Sequence, residues 1–178
     1  MIYIFLAQGF EECEALAPVD ILRRAGFDVK TVGVGSKWIT GSHNISVECD
    51  ILDTDAKTEG LEAVILPGGM PGTINLENSE IAQSFIDFAA NNNLILGAIC
   101  AAPSILGHKG LLEGRKATCF TGFEGDLIGA DVVNERAVSD GNIVTAYGAG
   151  AAFDFGFLLL EALKGKETAE ALKKQMRY

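Results

Sequence analysis

The sequence is poor in several features that mark particular classes of protein. Its 178 residues hold 14 lysines and arginines against 24 acidic residues, a net charge of −10. This charge disfavours nucleic acids and anionic membranes as partners, because both require a basic face. No apolar run approaches the length of about 18 residues that spans a bilayer. The first residues, MIYIFLAQGFEE, lack a basic segment before the apolar run, so we expect no signal peptide and a cytoplasmic protein.

Metal-ligand and redox spacings are also absent. The four cysteines, Cys13, Cys49, Cys100 and Cys119, form no C-x-x-C pair, and the chain has only two histidines. No phosphate-binding loop is evident either. We therefore expect free thiols, no bound metal and no cofactor. Most cysteines in such a chain are small buried hydrophobes, and Cys100 is the one that needs a separate argument.

The sequence does contain short apolar runs that alternate with amphipathic segments. These predict strands at 2–7, 27–34, 62–69, 94–99 and 116–120, hairpins at 37–52 and 137–147, and helices at 11–26, 79–93, 150–165 and 167–176. We expect Pro18 to bend the first helix or to delay its start. The order predicts a single α/β domain over 1–178, an open, mostly parallel sheet with helices on both faces.

Cys100 lies where a predicted strand turns into a helix. The segment LILGAICAAPSIL (94–106) is typical of a buried strand followed by a helix with Pro103 in its first turn. Ligands of open α/β sheets bind beyond the carboxyl ends of the strands, and the nucleophile elbow of hydrolases holds a side chain out at such a turn. A helix start favours the thiolate, and thiols in such places have pKa values of roughly 3.5–7.5. The alternative is a buried cysteine that merely ends a strand.

The acid–base partner of Cys100 is not a histidine in this interpretation. His108 follows eight residues later on the same helix, about 12 Å along its axis, and we expect His43 at a hairpin turn away from the site. Glu14 lies three residues beyond Glu11, on the same helix face. Buried beside Cys100, Glu14 would stay protonated, donate a hydrogen bond to the thiolate and shuttle a proton. The alternative is that these acidic residues only balance the helix dipole.

Two glycine-containing stretches follow predicted strands and are further site candidates. Gly68 and Gly69 in LPGG allow backbone amides to approach a ligand, so the amides of Gly69 and Ala101 are expected to bind a developing oxyanion. A second stretch either caps the next helix or lines the pocket; it consists of Gly148, Ala149 and Gly150.

Five segments occur in an order that resembles the ThiJ/PfpI superfamily, closest to the subgroup of the parkinsonism-associated protein deglycase and bacterial YajL. They are EECEALAPVDILRRAGFDV, VILPGGMPGTINL, AICAAPSIL, DGNIVTAYGAGAAFDF and LLEALKGKETA. The resemblance implies a flavodoxin-like fold, a homodimer and an elbow cysteine that oxidises readily to sulfinate. It also implies that Glu14 contacts the thiol and that the amides of Gly69 and Ala101 face it.

The chain departs from that subgroup at two places. The subgroup often has a histidine in the strand after the elbow helix, whereas this chain reads ATCFTG, with Phe120 or a neighbour at that place. The subgroup's Gly-Pro-Gly before the penultimate helix is Gly-Ala-Gly here.

The resemblance and the residues leave three functions open. The first is a cysteine-dependent glyoxalase or deglycase that acts on small dicarbonyls such as methylglyoxal or on glycated proteins. The second is a redox sensor or chaperone in which oxidation of Cys100 changes a surface. The third is a cysteine peptidase, which the absence of a histidine beside Cys100 argues against.

Overall fold

The computed structural model describes residues 1–178. Eleven strands are present: β1 (Ile2–Leu6), β2 (Val29–Gly33), β3 (Trp38–Thr40), β4 (Ser46–Glu48), β5 (Ile51–Leu52), β6 (Ala63–Leu66), β7 (Ile95–Ile99), β8 (Lys116–Ala117), β9 (Asp131–Val132), β10 (Ala137–Asp140) and β11 (Ile143–Ala146). Six α-helices accompany them: α1 (Glu12–Arg24), α2 (Gly72–Glu77), α3 (Glu80–Asn91), α4 (Pro103–His108), α5 (Ala152–Lys164) and α6 (Lys166–Met176).

Seven strands form one sheet in the order β10-β11-β7-β6-β1-β2-β5. All neighbouring pairs are parallel except β10 and β11, which form an antiparallel hairpin at one edge. The predicted flavodoxin-like, mostly parallel α/β sheet is confirmed. Strands β2 and β5 lie on one side of β1, and the later strands lie on its other side, so the strand order reverses between β1 and β6. Loops at the carboxyl ends of strands beside such a switch point are where open sheets bind ligands.

Helices cover both faces of this sheet. Helices α1, α5 and α6 pack on one face, and α2, α3 and α4 pack on the other. Each face has its own cluster of buried apolar residues. Because both faces are covered, β1 and β6 are buried along their whole length, which explains their uninterrupted apolar sequence. Gly97 in β7 lets α5 approach, since a Cβ there would lie 2.9 Å from Leu159 and 3.1 Å from Phe155.

Three details differ from the sequence prediction. Helix α1 begins at Glu12 and continues through Pro18, which is buried, so the expected late start is wrong. The helix α2, which precedes the predicted helix α3, was not predicted. Strand β8 is only two residues long and pairs with β9 in a separate small sheet, so 116–120 adds no strand to the main sheet.

The β3–β4 hairpin folds back onto the loop after β1. The backbone amide of Gly9 donates to the carbonyl of Thr40 at 2.8 Å, and that of Ser42 donates to Phe10 at 2.8 Å. These bonds connect the hairpin turn to the start of α1. No helix of the protein has both the length and the apolar character needed to cross a membrane.

Candidate active site at Cys100

Cys100 occupies the turn between β7 and α4 in a left-handed conformation, with φ of 66°. A residue with a Cβ adopts this region only at a cost of roughly 1–2 kcal/mol, so the surrounding structure must hold it there. Two backbone hydrogen bonds do so. The Cys100 amide donates to Ala146 at 2.9 Å, and its carbonyl accepts from the Phe120 amide at 2.8 Å. The thiol is half-buried at the carboxyl end of the sheet, at the predicted strand-to-helix turn.

Glu14, in the first turn of α1, reaches the same point from the neighbouring loop. Its side chain is almost completely buried, with 1% of the residue exposed, and faces the Cys100 thiol closely enough to influence its ionisation. Carboxylate atom Oε2 of Glu14 also accepts the amide of Gly68 at 2.9 Å. Glu11 caps the helix by accepting the Glu14 amide at 2.8 Å, and this bond orients the first turn of α1. The structure therefore brings Glu14 and Cys100 together.

The loop after β6 has no room for a side chain at Gly68. A Cβ there would lie 2.6 Å from the Cβ of Cys100 and 2.7 Å from Oε2 of Glu14. Since the Gly68 amide donates to Glu14, it is not free to bind an oxyanion, and Gly68 contributes to the site by leaving room for Glu14 and Cys100.

The amides of Gly69 and Ala101 do face the Cys100 thiol, and they lower its pKa. Neither amide donates to a backbone carbonyl, so both are available to a group bound at the thiol. Gly69 has a φ of 89°, a conformation that glycine adopts without strain, and its backbone lies against Glu11 and Gly9. Two amides that converge on one atom can stabilise negative charge on sulfur or on an oxygen attached to the carbon it attacks.

The Glu14–Cys100 pair is electrostatically coupled. Burial raises the pKa of Glu14 to about 7, and the hydrogen bond to Cys100 opposes this rise. Burial, followed by the charge of Glu14, raises the pKa of Cys100 to about 12, while the amides of Gly69 and Ala101 lower it. The direction is opposite to the lowered thiol pKa expected from a helix start, because the thiol is buried and faces a carboxyl group. Near neutral pH the two groups therefore share one proton, and the thiolate exists where that proton lies on Glu14.

Neither histidine contacts Cys100. His108 lies at the end of α4 and bonds to Glu77. The expected placement of His43 away from the site loops was wrong, because the hairpin turn packs on the start of α1. Its Nδ1 lies 3.0 Å from Glu12 Oε2, a carboxylate that also accepts the amides of His43 and Ile45.

The donor atoms of Glu11, Glu12 and His43 lie within 4.8 Å of one another, a spacing that a metal ion tolerates. The pairing of Glu12 with His43 and with backbone amides accounts for this cluster without an ion. Absence of a bound metal therefore stays a prediction.

The stretch before α5 contributes less to the site than predicted. Gly148 is extended and buried, and a Cβ there would lie 3.2 Å from the ring of Phe120. Ala149 and Gly150 are exposed in the short 3₁₀ turn that leads into α5. A cavity of about 560 Å³ opens beside them, but its lining comes from Tyr147 and from the segments around Phe120 and Val132. In the sequence alone, Phe120 is distinguished only by its place where the related subgroup often has a histidine.

A flavodoxin-like sheet whose strand-to-helix turn presents a cysteine to a buried glutamate defines a class of thiol-centred α/β proteins. A family model described as the DJ-1/PfpI family matches residues 1–162, and the chain belongs to this family. Among relatives, the Parkinson disease protein 7 homolog of Danio rerio is 32% identical over 96% of this chain and 93% of its own length. The protein DJ-1 homolog B of Arabidopsis thaliana is 36% identical over 94% of this chain and 39% of its own length.

Solved structures show the same fold. An oxidised form of Toxoplasma gondii DJ-1 has a TM-score of 0.94 and 29% identity, over 99% of this chain and 97% of that one. A mutant of a DJ-1 superfamily protein from Salmonella typhimurium has a TM-score of 0.93 and 30% identity, with the same coverage of both chains. The chain spans less than half the length of the Arabidopsis relatives it matches and nearly all of the others named here.

Proposed function

We propose that the protein is a cofactor-free, glutathione-independent glyoxalase that uses Cys100 on methylglyoxal-type dicarbonyls or on their protein adducts, as a cytoplasmic stress-response protein. The observation that supports it is the meeting of one thiol, one carboxyl group with a pKa of about 7 and two free amides. A carboxyl group that titrates near neutral pH is suited to both proton removal and proton return.

The reaction proceeds in four steps with atoms conserved. The Cys100 thiolate adds to the aldehyde carbon of methylglyoxal, and the amides of Gly69 and Ala101 bind the resulting oxyanion, which takes up a proton. Glu14 removes the hydrogen of that carbon as a proton and returns it to the neighbouring carbon, while the hydroxyl proton passes to the former ketone oxygen, which gives a lactoyl thioester. Water hydrolyses the thioester and releases lactate and the free thiol. The aldehyde carbon is oxidised and the ketone carbon reduced, so no external redox partner is needed.

The test is lactate formation from methylglyoxal without glutathione. Wild type should produce lactate, Cys100→Ser should produce none, and Glu14→Gln should bind but turn over at least a hundredfold more slowly, because general acid–base catalysis contributes about 10²–10⁴-fold. Lactate formation that persists in Cys100→Ser would refute the proposal.

A redox sensor or chaperone is the second candidate. The same two amides and the Glu14 carboxyl group are placed to hydrogen-bond the oxygens of a Cys100 sulfinate, and this observation favours a sensing role. Peroxide-dependent protection of a client protein by wild type but not by Cys100→Ser, without lactate formation, would select it. A peptidase is less well supported, since no histidine contacts the thiol.

We also propose a homodimer, on the strength of the family resemblance. Light scattering at micromolar concentration should give twice the chain mass of 18.8 kDa. A monomeric mass would count against this assembly.

A further inference from the structure

The segments that line the cavity of about 560 Å³ contact the backbone of the candidate catalytic cysteine. Two backbone bonds establish this. The Cys100 carbonyl accepts from the amide of Phe120, and the Cys100 amide donates to Ala146, the residue before Tyr147. Phe120 and Tyr147 both line the cavity. The two segments that hold Cys100 in its strained conformation therefore also supply the two aromatic rings of the cavity wall.

The cavity is too large for a three-carbon dicarbonyl alone. Its volume falls within the range of about 300–1,000 Å³ that accommodates drug-sized ligands. Its apolar wall consists of the two aromatic rings, Val132, Val133 and the buried Cys119. A substrate that reacts at Cys100 with only a methyl substituent would leave this wall unused.

The two rings are fixed in different ways. The hydroxyl of Tyr147 accepts from Arg136 Nη1 at 2.8 Å, and Nε of Arg136 donates to Asp154 at 2.9 Å, so the tyrosine ring is anchored from outside the cavity. The ring of Phe120 packs against Gly148 on one side, yet half of the residue remains exposed. A half-exposed aromatic ring beside a reactive group gains contact area when an apolar or aromatic group packs on it.

The charge of the lining excludes one class of substituent. Glu124 contributes a carboxylate, and no lysine or arginine lines the cavity. Arg136, which lies behind Tyr147, is already paired with Asp154, so no free cation there would balance an anionic substituent.

We infer that this cavity is a substituent subsite, that Phe120 is its specificity-determining residue, and that the preferred substrates are α-oxoaldehydes with a neutral aromatic or branched apolar substituent. The inference rests on the proposed glyoxalase function and adds the substrate class. The net reaction is R–CO–CHO + H₂O → R–CH(OH)–COOH, with the substituent R in the cavity.

The experiment compares three α-oxoaldehydes without glutathione: methylglyoxal, phenylglyoxal and 4-carboxyphenylglyoxal. The hydroxy-acid products are measured by chromatography. For wild type, kcat/KM should be at least tenfold higher for phenylglyoxal than for methylglyoxal, and at least tenfold lower again for the carboxylated ring. Phe120→Ala should lower kcat/KM for phenylglyoxal about tenfold, mainly through KM, and change that for methylglyoxal less than twofold. Phe120→Leu should fall between the two.

Phe153→Ala is the matched control, since Phe153 is exposed to a similar extent, 47% against 50%, but stacks on Tyr178 instead of lining the cavity. It should leave all three substrates unchanged. Equal kcat/KM for phenylglyoxal and methylglyoxal, or equal losses for both in Phe120→Ala, would overturn the inference while leaving the glyoxalase proposal intact.

If wild type produces no hydroxy acid from any substrate, the function proposal fails, and the subsite is then judged by binding alone. Cys100→Ser protein is titrated with 2-hydroxyacetophenone and with hydroxyacetone by NMR. Tighter binding of the aromatic compound that Phe120→Ala weakens about tenfold supports the subsite. Equal or Phe120-independent binding refutes it.

Discussion

Replacement of Glu14 by leucine gives the sharpest test of the Glu14–Cys100 pair. In wild type the pair loses its first proton near pH 7, because burial raises the pKa of Glu14 to about 7, and the remaining proton bridges the two groups. Thiolate becomes accessible as this one-proton form appears. In Glu14→Leu the thiol must ionise alone, from an ordinary pKa of about 8.5 that burial raises further.

The magnitude follows from the bond that is lost. A hydrogen bond to a charged group contributes about 1.5–3 kcal/mol, which corresponds to about one to two pKa units. The pH at which Cys100 becomes reactive should therefore rise by about one to two units relative to wild type. Glu14→Gln keeps a donor next to the sulfur and should shift it less. Glu11→Gln should move it downward, because the charge of Glu11 helps to raise the pKa of Glu14.

The assay is alkylation by iodoacetamide from pH 4 to pH 10, read at each cysteine by peptide mass spectrometry. Cys13 is exposed, lies outside the pair and serves as an internal reference in every sample. An unchanged midpoint in Glu14→Leu would show that the carboxyl group does not hold the thiol proton. Glu14 would then be only a buried acid at the start of a helix.

Three further outcomes are expected. Gly68→Ala should destabilise the protein by about 1–3 kcal/mol in denaturant unfolding because its Cβ would collide with Cys100. Gly150→Ala is the control and should change stability little, since no atom lies within 4 Å of the added Cβ. Equal effects of the two substitutions would contradict the close packing at Gly68. Glu14→Gln should leave the free energy of unfolding nearly unchanged below pH 4.5 and raise it by up to ~3 kcal/mol above pH 7. The reason is that the raised pKa of Glu14 makes its ionisation in the folded protein costly, and glutamine does not ionise. A pH-independent difference would refute this. Limited peroxide should oxidise Cys100 first by mass spectrometry, ahead of the buried Cys119, because Glu14 can hold the proton of the Cys100 thiol, and the reverse order would refute the site assignment.

Most of the fold was predictable because strands covered on both faces read as apolar runs. β1, β6 and β7 are of this kind, and their order along the chain suggested the parallel sheet. The expectation that Pro18 delays the start of α1 was wrong, because the packing of the helix outweighs the low helix propensity of proline. It is buried where α1 meets α5, and Gly156 in α5 lies against it, since a Cβ on Gly156 would be 3.3 Å from the Cα of Pro18.

The sequence predicted only those site residues that follow the carboxyl ends of strands in the main sheet, where open α/β sheets bind ligands. Cys100 and Glu14 follow strands of the main sheet, so their convergence followed from topology and from the family resemblance. The placement of His43 depended on the hairpin docking onto Phe10, a contact between residues far apart in sequence that leaves no local signal. The cavity at Phe120 was missed for the same reason, since its wall is assembled from three separate segments.

The left-handed backbone at Cys100 bears on how variants of this protein should be selected. Glycine adopts that conformation without strain, so Cys100→Gly is expected to recover part of the conformational strain while it removes the thiol. Selection for thermal tolerance alone would then drift toward molecules that fold well and have lost their reactive centre. A library screened for robustness needs a simultaneous thiol readout, because stability and chemistry oppose each other at this position.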